Sequence, residues 1–190
     1  MAAIKADLYV GESIRVIPHA IARLREQLTP ELRDLLSLDA LLVPAPKSAP
    51  FRPGTKDYLW VPNRICEELL AQGFGERMEP LLVRVKAVRK SATSQAAERA
   101  TPEEHYRSLR VKQRLRFSEP SEIVVVDDII TRGATLLAGV SILQEAFPAA
   151  KVRGFALVRS AFPDAFGEIV DPFYGSVHTA ADGKTWKEPS

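Results

Sequence analysis

Residues 123–135 constrain the fold of this chain more than any other stretch. Ile123-Val124-Val125-Val126 is an apolar, β-branched run, Asp127-Asp128 are adjacent carboxylates, and Ile129 to Gly133 lead into a helical sequence at 134–146. Such a run bounded by turn residues reads as a buried strand. A strand passing at once through a turn into a helix is the front of a βαβ unit.

The alternation recurs along the chain. Leu38 to Val43, Leu81 to Val85 and Val152 to Val158 read as further strands. Val61 to Gln72 reads as a helix, with Pro62 in its first turn and Gly73 as its stop. Thr101-Pro102-Glu103-Glu104 opens a short helix that ends before Ile123, with a capping Thr and Pro at the first position. Residues 14–36 have a helical pattern that Pro18 and Pro30 should cut into pieces. The expected class is therefore α/β, a mainly parallel sheet flanked by helices. Residues 44–50 are too rich in proline for regular structure, and 86–100 show neither helical nor strand period, so both are expected to be loops, the second long and mobile. The tail from 160 to 190 has no assignable pattern. No repeat or linker divides the chain, so 1–190 reads as one domain with its core at about 38–160.

Composition excludes several classes. With 46% apolar and 26% charged residues the chain is not globally disordered, and a formal charge of +2 does not point to nucleic acid. Charge is concentrated instead in the basic stretch 84–116, which can serve an anionic small molecule or single-stranded DNA. Cys66 is the only cysteine, which rules out an internal disulfide or a thiolate metal cluster and fits a reducing compartment. No apolar run has the length of a signal peptide core or a membrane span, so a cytoplasmic location is expected.

The chemistry is expected where the strand at 123–126 meets its helix. In open α/β sheets ligands sit beyond the carboxyl ends of strands. A turn entering a helix offers several backbone N–H groups to an anion. Gly133 permits close approach, and Thr131 and Thr135 add hydroxyl donors around Arg132 and Ala134. Asp127 and Asp128 would repel a second phosphate but suit vicinal hydroxyls. A sugar phosphate satisfies both halves. A Walker B strand would need a GxxxxGK[ST] partner, and the sequence has none.

This segment, Val124 to Thr135, resembles the phosphoribosyl-pyrophosphate signature of type I phosphoribosyltransferases: apolar strand, two acids, two apolar residues, then Thr-x-Gly-x-Thr. The resemblance implies that Thr131, Arg132, Gly133, Ala134 and Thr135 hold the 5′-phosphate and that Asp127 and Asp128 hold the ribose hydroxyls. It implies Mg²⁺ on the pyrophosphate, with the two acids reaching it through water and no direct protein ligand. The loop containing Pro44 to Lys47 falls where the family contacts pyrophosphate, so Lys47 is a candidate contact. Residues 86–100 fall where the family has a flexible loop, and Arg89 and Lys90 would bring cationic groups to the leaving pyrophosphate. The terminal segments would form a small hood, and a homodimer is the family's usual assembly. The stretch around Leu81 to Gln95 is similar to the competence-associated ComF-type branch, although that branch's cysteine-rich zinc module and its Arg-Gly-Phe-Asn stretch have no counterpart here. Purine-salvage relatives carry Asp where Thr131 stands.

The implied activity joins a nitrogen nucleophile, a nucleobase or amine, to C1 of the ribose, with release of pyrophosphate through an oxocarbenium-like transition state. Asp127, Asp128, Arg89 and Lys90 are the candidate catalytic residues. The alternative is a non-catalytic nucleotide-binding regulator or DNA-uptake protein, which keeps the cradle without turnover. Cys66 reads as a small core residue, and His105, His19 and His178 as structural or exposed. Phe162, Phe166, Phe173 and Tyr174 read as packing residues, although each could stack on a base.

Overall fold

The computed structural model describes residues 2–10, 14–50, 59–89, 100–112, 119–160, 174–180 and 184–189. In chain order the elements are α1 (Ala2–Ala6), β1 (Tyr9–Val10), β2 (Ile14–Arg15), α2 (Val16–Glu26), α3 (Pro30–Leu35), β3 (Ala40–Pro44), α4 (Val61–Ala71) and β4 (Arg77–Met78). There follow β5 (Leu82–Arg84), α5 (Pro102–Ser108), β6 (Leu109–Val111), β7 (Glu122–Ile130), α6 (Ala134–Ala146), β8 (Lys151–Arg159), β9 (Gly175–Thr179) and β10 (Thr185–Pro189). No helix among the described residues is long and apolar enough to cross a membrane.

Four strands form a parallel sheet in the order β4-β3-β7-β8. Its central strands are apolar without alternation because both faces are covered. Ala40 and Leu42 of β3 join Val124 and Val126 of β7 on one face, under α2, α3 and α4. Leu41 and Val43 join Ile123 and Val125 on the other, under α6 and the β5–β6 ribbon. Each fully buried Val, Leu or Ile contributes about 1.5–3 kcal/mol of hydrophobic burial, so this double layer fixes the register of β3 against β7. Cys66 of α4 lies wholly buried in the first cluster, and burial pushes its thiol pKa up, as expected of a core residue.

Several expectations are corrected here. Pro18 does not cut α2. It is the helix's third residue, in a first turn whose N–H groups have no intrahelical acceptor, so nothing is lost. Pro30 does open a new helix, capped by Thr29, whose hydroxyl accepts from the Leu32 N–H at 3.3 Å. Leu82 to Arg84 is a strand, but it pairs antiparallel with β6 outside the parallel sheet, and the sheet's fourth strand is the two-residue β4. β7 does not end at the acids: it stays paired with β8 as far as Ile130. The tail contributes the antiparallel β9–β10 hairpin.

Candidate functional site

The helix after β3 and the helix after β7 pack on opposite faces of the sheet, α4 with the first cluster and α6 with the second. The chain therefore diverges between the carboxyl ends of two neighbouring strands. This is the switch point at which open α/β sheets bind ligands. β3 pairs with β7 only as far as Val126, where the Ala45 N–H donates to the Val126 carbonyl at 2.8 Å. Asp127 and Asp128, the next two residues of β7, lie where that neighbour has left.

Each acid is half-committed to the backbone. The Asp128 N–H donates to Asp127 Oδ1 and the Ile129 N–H to Asp128 Oδ1, both at 2.9 Å. That leaves the second oxygen of each carboxyl for other partners. Asp128 Oδ2 lies 3.8 Å from the Lys5 ammonium of α1. Burial, reinforced by the neighbouring Asp128 charge, pushes the Asp127 pKa up to about 7, against a smaller opposing pull from Lys5.

The turn beyond the acids matches its expected shape. Gly133 is buried, adopts φ 81°, and is the N-cap of α6. The Leu137 N–H closes the first helical bond onto its carbonyl at 2.8 Å. The N–H groups of Ala134, Thr135 and Leu136 have no acceptor among the described residues. Thr131, Arg132, Ala134 and Thr135 are all partly exposed. The close approach at Gly133, however, is made by protein: a Cβ there would stand 2.7 Å from Val177 Cγ2 of β9. The hairpin is tied down alongside, with the Lys187 ammonium donating to the Ser160 carbonyl at 3.0 Å and the Ser160 N–H to the Ile130 carbonyl at 2.9 Å.

The 44–50 loop reaches the same edge of the sheet. Lys47 is exposed, and its carbonyl accepts from Arg84 Nε at 2.8 Å. The Val88 N–H donates to the Ser48 carbonyl at 2.8 Å, which joins this loop to the segment leading to Arg89. Arg89 is exposed; Lys90 and residues 91–99 lie outside the described residues, as do Phe162, Phe166 and Phe173. The Tyr174 hydroxyl lies against the Thr29 hydroxyl and so has a packing partner. His178 stacks on Trp186 in the hairpin at 5.3 Å, and His19 is exposed.

Residues that sequence reasoning missed also meet here. Arg84 is buried beneath the 44–50 loop, where it donates to Ser108 Oγ at 2.5 Å and faces His105 Nδ1 at 3.3 Å. Burial lowers its pKa to about 10, partly offset by the charge of Asp127. His105 is buried too; burial and then the Arg84 charge push its pKa down to about 4, and its Nε2 has no hydrogen-bond partner among the described residues. One signal for Arg84 was available. In β5, Leu82 and Arg84 point inward while Val83 points out, so the strand's inward position is polar. Lys5 and Val177 carried no local signal.

The donor set fits Mg²⁺ only in company with a substrate. Asp127 and Asp128 each keep one carboxylate oxygen out of the backbone hydrogen bonds, that of Asp128 beside Lys5, and Mg²⁺ is typically held by one or two carboxylates, water and substrate phosphates. A separate cleft of about 360 Å³, bordered by Tyr106, Leu137, Ser141 and Thr179, contains none of the sequence-identified residues. Comparison of the chain with protein-family models and with curated proteins gives no match.

Proposed function

We propose that this chain is a phosphoribosyltransferase of the type I fold, transferring ribosyl phosphate from phosphoribosyl pyrophosphate to a nitrogen nucleophile. The observation that carries the reading is the placement of Asp127-Asp128 and the Thr131–Thr135 turn at the switch point of the parallel sheet, with the first N–H groups of α6 unpartnered among the described residues. In this reading the turn and α6 take the 5′-phosphate, and the free oxygens of Asp127 and Asp128 accept from the ribose hydroxyls. Lys47, Arg89 and Lys90 supply positive charge to the pyrophosphate end. Mg²⁺, when bound, would neutralise charge developing on the leaving pyrophosphate. α1 and the β9–β10 hairpin, which reach Asp128 and Gly133, make the hood.

The second reading, a nucleotide binder without turnover, is favoured by one observation: Lys5 already provides Asp128 with a cation from within the chain. Two measurements separate the readings. Phosphoribosyl pyrophosphate with Mg²⁺ at about 100 times its Kd should stabilise the fold by about 2.7 kcal/mol, or about 5–10 °C in Tm for a chain of this size. Pyrophosphate release should then follow with one member of a panel of nucleobases and amines. The doubly substituted Asp127→Asn, Asp128→Asn protein should lose the extra shift that ribose 5-phosphate gives over inorganic phosphate and keep the shift with inorganic phosphate. A stabilising shift without release supports the binder, and no shift with any sugar phosphate removes both readings.

A further inference from the structure

Arg84 is 6% exposed, and its hydrogen-bond partners are all neutral, the Lys47 carbonyl, the Ser108 hydroxyl and the His105 ring, while the Asp127 charge acts on it through space. Burying a guanidinium with no carboxylate hydrogen-bonded to it is costly, which points to an end beyond stability. That end is visible in the 44–50 loop. The Lys47–Ser48 peptide is trans, so its carbonyl and its N–H point in opposite directions. Drawing the Lys47 carbonyl inward onto Arg84 turns the Ser48 N–H outward. That N–H has no acceptor among the described residues. Three groups around it are clamped: the Ala45 N–H to Val126, the Ala45 carbonyl to Trp60 Nε1 at 2.8 Å, and the Ser48 carbonyl to Val88. The loop thus presents the Ser48 N–H at the edge of the sheet where Asp127 and Asp128 stand, above a buried positive charge.

We propose that Arg84 is a positioning residue: by holding the Lys47 carbonyl inward, it aims the Ser48 N–H at the pyrophosphate of phosphoribosyl pyrophosphate. The identity of that anion rests on the phosphoribosyltransferase reading; the aiming of the donor does not. The buried guanidinium has a second effect in the same direction, since its charge makes the loop above it more favourable for an anion.

The experiment is calorimetric titration of the full chain with pyrophosphate and, separately, ribose 5-phosphate, each with Mg²⁺. Arg84→Met should weaken pyrophosphate binding about tenfold, the scale of one lost hydrogen bond to a charged group, and leave ribose 5-phosphate within about twofold, inside the range of mutations at separate sites. Arg84→Lys, which can still donate to the Lys47 carbonyl, should recover most of the loss. Should Arg84→Met fail to fold, Ser48→Pro deletes the donor without touching the guanidinium and should produce the same tenfold loss. Equal losses for both ligands, or no loss for either, overturn the proposal. A wild type that binds ribose 5-phosphate but not pyrophosphate overturns it and leaves the sugar-phosphate cradle standing. Pyrophosphate binding that depends on Arg84, with no ribose 5-phosphate binding, supports the proposal and removes the phosphoribosyltransferase reading.

Discussion

Gly133 is held by two independent constraints. Its φ of 81° lies in the left-handed region, which for an L-residue with a Cβ is unfavourable by about 1–2 kcal/mol. Its Cα face is also closed by Val177, whose Cγ2 would stand 2.7 Å from an added Cβ. Overpacking of this kind adds about 1–3 kcal/mol. Gly133→Ala should therefore destabilise the fold by roughly 2–5 kcal/mol, measured by urea denaturation. Val177→Ala in the same chain should recover the packing part and leave the backbone part, so the two substitutions couple. Additive effects in the double-mutant cycle would show that the hairpin does not rest on the turn. Because Gly133 carries a structural load of its own, variants at Asp127 and Asp128 isolate ligand recognition more cleanly than variants at the glycine.

Short helices depend on their ends, and α5 shows how one element can set the geometry of a site it does not enter. Its seven residues are too few to be stable alone. Thr101 and Glu104 form a complete capping box, with the Glu104 N–H donating to Thr101 Oγ1 at 3.2 Å and the Thr101 N–H to Glu104 Oε2 at 2.8 Å. Downstream on the same helix stand His105 and Ser108, two of the three partners of Arg84. Thr101→Ala should remove about 1 kcal/mol, and amide exchange should quicken first along 102–108; exchange that quickens evenly over the whole chain would place the cap's effect elsewhere. This element was legible in the sequence because caps and stops are local chemistry. The same holds for α4, with Pro62 and Gly73, and for α6 after Gly133. What was not legible is pairing. The apolar run at 81–85 does not encode which strand it joins, and it pairs with β6 rather than with the parallel sheet. β4 is two residues long and has no period to detect. The site divides in the same way. Asp127 to Thr135 are contiguous and were found together, whereas Arg84, Lys5 and Val177 reach the site only through the fold.

At the scale of the whole molecule, the half-buried Asp127 and the buried His105 titrate in opposite senses. The native Asp127 carboxyl is pushed from an ordinary 3.8 up to about 7, so between those values the native state holds a proton that the unfolded chain has released. Stability contributed there is present at low pH and lost as pH rises through about 7. His105 behaves in the opposite sense. Its pKa falls from 6.5 to about 4, so between those values the unfolded chain holds the extra proton, and stability is present above 6.5 and lost as pH falls through about 4. Over the shared window the two slopes oppose, and the wild type should be flatter than either variant. Asp127→Asn should leave a curve that rises from pH 4.5 to 6.5, and His105→Gln one that falls from pH 4.5 to 7. Unfolding free energies from urea series across pH 4.5–8 test this, because the carboxylates remote from Asp127 contribute equally to each protein and cancel in the differences. The advantage of Asp127→Asn over wild type should grow by about 1–3 kcal/mol from pH 4.5 to 8, less than the full shift implies because Asp127 is partly exposed. Any constant loss from replacing a carboxylate oxygen by an amide drops out of that growth. An advantage that does not change with pH would mean that Asp127 is already ionised throughout, and the acid pair would then stand ready for sugar hydroxyls at every pH rather than only above about 7.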